Sequence, residues 1–316
     1  MKKAVLMGLI FLLAFGAGSC ARRDGVERLR FATGGVAGTY YPYGTAIAQI
    51  LTEKTGIPIT VQSTGASRAN ILLIDDGEVE MALAQNDVMY YAWNGIDLFS
   101  GQQIRSFRTI AGLYAEVVQI VARAGSGINS IADLRGRVVS VGDAGSGVEF
   151  NSRQILGAYG ITFNDIIKQN LGFAASAEAL RDGRIDAFFC VAGAPTPAIV
   201  DLATTRDIII LEIDDVHAAK LMERYSFYTH YPVPAGTYRG VGRVQTLSVK
   251  ATLLVSSHLS EDTVYRLTRA LFENQEAIAI AHVRGRDLSP HYAVERITVP
   301  LHPGAERYFR EISVLR

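Results

Sequence analysis

Apolar residues recur at helical spacing in AIAQILTEK, where Ala46, Ile47, Ile50 and Leu51 fall on one face. The β-branched runs IPITVQ, from Ile57, and RVVSVG, from Arg137, instead predict strands. Towards the end of the chain TLSVKATLLVS (246–256) reads as a strand, and SEDTVYRLTRALFENQEAIAIAH (260–282) as one long helix. Strands alternating with helices predict an α/β fold of parallel sheets with helices on both faces.

The pattern also repeats. Residues 28–57 and 137–161 each give an apolar strand, a Gly-rich turn ending in a hydroxyl residue, a helix carrying Ile-Leu, and a Gly-Ile exit. Residues 67–85 and 173–191 each give a helix, an Asp-Gly pair and a strand. One unit used twice predicts two lobes: the first from residues 26–118 completed by 236–316, the second from 119–235. Such a chain crosses between lobes twice, near 109–123 and near 231–240, which makes a hinge with a cleft between the lobes. In open α/β sheets ligands lie beyond the carboxyl ends of the strands, so the Gly-rich turns should face each other across it.

The first twenty residues read as an address. Lys2 and Lys3 precede an apolar run from 4 to 15 and the small-residue stretch GAGSC, a secretory-signal layout too short for a permanent span. The stretch 17–20 has the form of a bacterial lipobox, with Cys20 as the lipidation site; cleavage after Ala21 is the alternative. An exported product is expected, periplasmic or tethered to the outer face of a membrane. It would have no cytoplasmic pool of ATP or NAD to draw on.

With 31 basic and 31 acidic residues, no excess of positive charge is available for a phosphate backbone, so nucleic acid is excluded as a partner. Loss of Lys2 and Lys3 leaves 29 basic against 31 acidic residues, a net charge of −2. Cys20 and Cys190 cannot form a disulfide framework or a metal site, and Cys190 in DAFFCVAG reads as a buried strand residue.

Four segments should line the cleft: TGGVAGTYYPYG (33–44), STGAS (63–67), AQNDV (84–88) and DAGSGVE (143–149). They are rich in glycine, hydroxyls and amides and poor in cations, with Arg68 and Arg153 on helix flanks. Helix N-termini next to such turns offer free N–H groups to an anion. Tyr40, Tyr41, Tyr43, Tyr90, Tyr91 and Trp93 would be the material of a cage for a quaternary cation. No nucleophile elbow, zinc-protease helix or P-loop is present, and the histidines lie outside these loops. An enzyme on this frame would have only Asp87 or Glu149 as a base, so no catalytic residue is assigned.

The strings TGGVAGTYYPYGTAIAQIL, QSTGAS, ALAQNDV and VGDAGSGVEFNSRQIL make the chain similar to the TAXI family. These are extracytoplasmic solute receptors of tripartite ATP-independent periplasmic (TRAP) transporters. The likeness extends over nearly the whole chain after the leader. It implies a type II periplasmic-binding-protein fold, acting as a monomer and without a cofactor or metal. The fold would close on a small organic acid or amino acid, of the glutamate or 2-oxo acid type, and deliver it to a membrane-embedded TRAP permease. The matching positions are Thr39, Tyr40 and Tyr41, then Ser63, Thr64 and Ser67, then Gln85 and Asp87, then Gly145, Ser146 and Gly147, with Val148 beside them as a further ligand contact. Two depart from the family pattern: Ala66 stands where a glycine is usual, and Val148 where a Thr or Ser is usual. The rival within binding proteins is a sensor that passes closure to a membrane signalling partner.

Overall fold

The structure, a computed structural model, describes residues 28–316; the leader and Cys20 lie outside them. The first unit runs β1 (Leu29–Ala32), α1 (Tyr40–Thr55), β2 (Ile59–Gln62), α2 (Ser67–Asp75) and β3 (Met81–Gln85), and α3 (Asn86–Asn94) follows at once. After the long strand β4 (Phe107–Arg123) the plan recurs as β5 (Val138–Ser140), α4 (Gly147–Ala158), β6 (Ile167–Gln169), α5 (Phe173–Arg181) and β7 (Ala187–Ala192). Then come α6 (Pro197–Thr205), β8 (Ile208–Leu211), α7 (Asp215–Arg224), β9 (Thr229–Val233) and β10 (Val244–Ser256). The chain finishes with α8 (Glu261–Glu273), α9 (Gln275–Ala281), α10 (Pro290–Val294) and α11 (Pro303–Glu311).

The sequence repeat is a repeat of architecture. In each unit the first strand lies between the other two, all parallel: β1 pairs with β2 and β3, and β5 pairs with β6 and β7. The sheet as a whole is mixed rather than parallel, because β10 enters antiparallel between β3 and β4, and β4 is antiparallel to β7 and β8. The reason is the returning tail, which fills the edge left open by the first unit.

Two long strands join the lobes. β4 pairs with β10 from Phe107 to Val117 and with β7 from Val117 to Ala122. β10 pairs with β9 from Val244 to Ser248 and with β4 beyond. The second passage is therefore made by β10, downstream of residues 231–240. Those residues lie in the second lobe, where Val233, Tyr238 and Val241 enter its core. The long helix expected at 260–282 is split at Asn274, whose side chain turns back to donate to the Ala270 carbonyl at 2.8 Å.

Each lobe carries apolar cores on both faces of its sheet. In the first, Phe31, Ile47, Leu113 and Phe309 fill one face, and Ile71, Met89 and Phe107 the other. In the second, Val139, Leu156 and Phe189 oppose Leu180, Phe188 and Ile199. Covering both faces leaves the ends of the strands as the place where backbone stays open to a ligand. Among the described residues no helix is long and apolar enough to cross a membrane.

Candidate functional site

β1 stops at Ala32, β3 at Gln85, β5 at Ser140 and β7 at Ala192, and each hands the chain to a helix or a loop on the same side of the sheet. The N-termini of α1, α2, α3 and α4 therefore converge. Between them is an inner cavity of about 50 Å³, lined by Gly34, Gly35, Gly38, Thr39, Tyr40, Ala66, Ser67 and Gln85 from the first lobe, with Glu116 of β4. Ser146, Gly147, Val148, Phe173, Val191 and Ala192 close it from the second. A mouth of about 350 Å³ adjoins it, bounded by Ser63, Thr64, Asp143, Gly172 and Phe173.

The first turn of α4 is set up to hold an anion. Ser146 caps it, its hydroxyl accepting from the Glu149 amide at 3.2 Å, and its carbonyl takes the Phe150 amide. The amides of Gly147 and Val148, both in the cavity wall, have no acceptor among the described residues. Gly142 sets the approach to this turn with φ of +92°; a side chain there would strike Val148 at 2.7 Å. Glu149 faces back into the loop, accepting from the Gly145 amide at 2.6 Å and from Lys168 at 2.9 Å. Burial alone would raise its carboxyl, but these donors outweigh burial and hold it below the usual range.

On the opposite wall, the Gln85 backbone amide donates to Ser67 Oγ at 3.1 Å, while its side-chain Oε1 is buried with no hydrogen-bond partner among the described residues. Glu116 is 2% exposed and accepts a short hydrogen bond from the Tyr40 hydroxyl. Burial pushes its carboxyl up to about 8, against the pull of that bond.

The lobes touch directly around the cavity. Thr39 Oγ1 donates to the Gly193 carbonyl at 3.1 Å, and the Ala198 amide to the Ala37 carbonyl at 3.2 Å. Gln85 Nε2 donates to Asn151 Oδ1 at 3.2 Å, and Asn151 Nδ2 reaches both Asp87 Oδ2 and the Tyr228 hydroxyl at 2.9 Å. Tyr228 passes on to Gln154 at 2.7 Å, and Gln154 donates to the Tyr91 hydroxyl at 2.6 Å.

A family model described as NMT1-like matches residues 31–312. The chain belongs to the NMT1-like family. Among solved structures, a protein from Bordetella bronchiseptica RB50 is 16% identical with a TM-score of 0.54, over 92% of this chain and 89% of that one. A structure described as a putative L-cystine ABC transporter from Listeria monocytogenes is 15% identical with a TM-score of 0.52, over 84% and 98%. A substrate-binding protein of an amino acid ABC transporter is 13% identical at 0.51, over 80% and 96%. At these identities the likeness shows the fold, a mixed α/β sheet with flanking helices of the periplasmic-binding-protein kind.

In this NMT1-like chain the residues singled out from the sequence divide into three groups. Thr39, Tyr40, Ser67, Gln85, Ser146, Gly147 and Val148 line the inner cavity. Ser63 and Thr64 lie at its mouth, their hydroxyls already donating to the carbonyls of Gly34 at 2.9 Å and Thr33 at 3.1 Å. Tyr41, Asp87 and Gly145 line neither space: the Tyr41 carbonyl accepts from Thr45, Gly145 serves Glu149, and Asp87 is buried against Asn151 and the Val88 amide. Burial raises the Asp87 carboxyl to about 6.

The tyrosines do not converge on a cage. Tyr43 packs edge-on against Tyr114, Tyr91 against Phe150 and Phe227, and Trp93 stacks under Arg105 and Arg108. Arg153 lies over Phe150 and Phe163, and Arg68 over Phe99. Neither reaches the cavity wall. Cys190 is fully buried on β7, and burial pushes its thiol up. Glu116, Phe173 and Val191–Ala192 were not singled out from the sequence. Glu116 did leave a signal, as the one acid inside the long apolar strand FRTIAGLYAEVVQIVAR.

Proposed function

We propose that this chain is an extracytoplasmic solute receptor of the TAXI type, binding a small organic acid or amino acid between its lobes and delivering it to a TRAP permease. The observation that carries the reading is the inner cavity itself. It lies at the carboxyl ends of strands from both halves, and its wall presents the two unpartnered amides of Gly147 and Val148. A solute carboxylate seated there satisfies both donors and the positive end of α4 together. Thr39, Tyr40, Ser67 and Gln85 contact the solute from the other lobe, so binding draws the lobes shut along β4 and β10. The two bodies so hinged are the chain up to 118 with the part beyond the crossing in β10, and the part between, residues 231–240 included.

The test is thermal unfolding of the protein, stripped of carried-over ligand, against glutamate, glutamine, 2-oxoglutarate and four-carbon dicarboxylates. A solute at 100 times its dissociation constant adds about 2.7 kcal/mol, a rise of a few degrees in a chain of this size. Ser146→Asp keeps an N-cap oxygen, so the fold survives, but puts negative charge against the anion. Affinity should fall at least about tenfold, the scale of one charge-assisted contact. Unchanged affinity in that variant refutes the seat on α4.

A further inference from the structure

We propose that Glu116 is the specificity residue of this cleft, its carboxylate taking the ammonium group of a zwitterionic solute whose own carboxylate lies on the first turn of α4. The inference rests on the solute-receptor reading above and sharpens it: the preferred solute carries an amine, and the acid lacking that amine is discriminated against.

The argument starts from what surrounds Glu116. It sits where β4 changes partner, opposite Val249 of β10 and one residue before Val117 takes up its pairing with β7, so its side chain enters the cavity at the junction of the lobes. The groups facing it are Tyr40 of α1, Gln85 at the end of β3, Asp87 of α3, Tyr114 on its own strand, Cys190 of β7 and Tyr292 of α10. Each of these is neutral or acidic. The nearby cations, Lys250 and Arg284, do not line the cavity, and of their donors only the Nε of Arg284 is buried without a partner among the described residues. Lys250 donates to the carbonyls of Tyr292 at 2.8 Å and Glu295 at 2.5 Å, and Arg284 pairs with Asp287 at 2.9 Å. The cavity lining itself contains no Lys, Arg or His.

A carboxyl buried in a ligand cavity without a protein cation is stable only if it holds a proton or if the ligand brings the missing charge. Burial lifts this carboxyl to about 8, so the empty site is protonated at neutral pH. When the ammonium arrives the proton leaves to solvent and an ion pair replaces the neutral acid. Binding of an amine-bearing solute is thereby coupled to release of one proton, and its affinity rises with pH until Glu116 is ionised in the empty site as well. A solute without the amine has the opposite linkage, because it needs the proton to stay.

The experiment is isothermal titration of the stripped full-length protein with glutamate, glutamine and alanine, and with 2-oxoglutarate and pyruvate. It is run from pH 6 to 9 in buffers of different ionisation heat. The expected result is an amino acid bound at least about tenfold tighter than its 2-oxo counterpart, with close to one proton released at pH 6.5. Its affinity should climb about tenfold per pH unit up to pH 7.5 and level off above 8. Glu116→Gln should abolish both the proton release and the preference for the amine-bearing solute. If that variant does not fold, the buffer series on the unaltered protein decides alone. A 2-oxo acid that binds as tightly or tighter, with affinity falling as pH rises through 8, overturns the proposal: Glu116 then donates its proton to a carboxylate, and the receptor reading stands. Heat from none of these solutes overturns both.

Discussion

Ala66 shows how much a single position in this site costs. Its backbone lies at φ +65°, ψ −148°, a region that suits glycine and strains any residue with a Cβ. It is held there because its amide donates to Thr64 Oγ1 at 3.1 Å, its carbonyl accepts from the Asn70 amide at 2.9 Å, and it forms part of the cavity wall. Ala66→Gly should raise stability by about 1 kcal/mol, strain relief exceeding the extra freedom gained by the unfolded chain. Denaturant melts of the two proteins check this, and equal or lower stability in the glycine variant contradicts the strain. The departure at Ala66 was visible in the sequence as a residue where the resembling family has glycine. The strain was not visible, because a backbone angle is set by what the loop packs against.

At the scale of an element, α4 shows why some of the site residues were legible. A Gly-Ser turn before a helical pattern announces a capped N-terminus, and Ser146 is that cap. Gly147 was legible only as part of the motif; the structure gives the reason a glycine is needed. A Cβ on it would fall 1.6 Å from Gln85 Oε1 and 3.0 Å from Val88 Cγ2, across the boundary between the lobes. Gly147→Ala should leave helix content unchanged, since alanine favours a helix over glycine by about 1 kcal/mol. It should nonetheless weaken solute binding about tenfold or more by pushing Gln85 off Asn151, the scale of one lost buried hydrogen bond. Circular dichroism and titration calorimetry on the same sample separate the two effects. Tight binding with an intact helix would show that the lobes meet less closely here.

For the whole molecule, the network from Gln85 and Asp87 through Asn151 to Tyr228, Gln154 and Tyr91 joins the first unit to the second outside the hinge strands. Asn151 is fully buried and serves three partners at once. Removing it with Asn151→Ala leaves the buried Asp87 carboxyl without its side-chain donor. The cost should be about 2 kcal/mol, with a shift towards separated lobes. Small-angle scattering of the unliganded variant should give a larger radius of gyration than the unaltered protein, and solute should restore the smaller value. An unchanged radius with the stability loss would make the network a packing device rather than a latch.

The division between what was readable and what was not follows the range of the interactions. Repetition of strand, Gly-rich turn and helix at 28–85 and 137–191 is local patterning, so the chain by itself determined two α/β units and the side of the sheet on which their turns gather. The cap at Ser146, the amides beside it and the burial of Cys190 follow from neighbours within a few residues or from an apolar run. Long-range pairing lay outside that reach. The insertion of β10 between β3 and β4 turned an expected parallel sheet into a mixed one and moved the second passage from 231–240 into a strand. The same pairing carried Glu116 into the cavity, while Asp87, on α3, is held outside it by Asn151. A strand's sequence states that it alternates or is buried, but which side chain meets a ligand depends on register against strands far away in the chain, and only the tertiary structure sets that register.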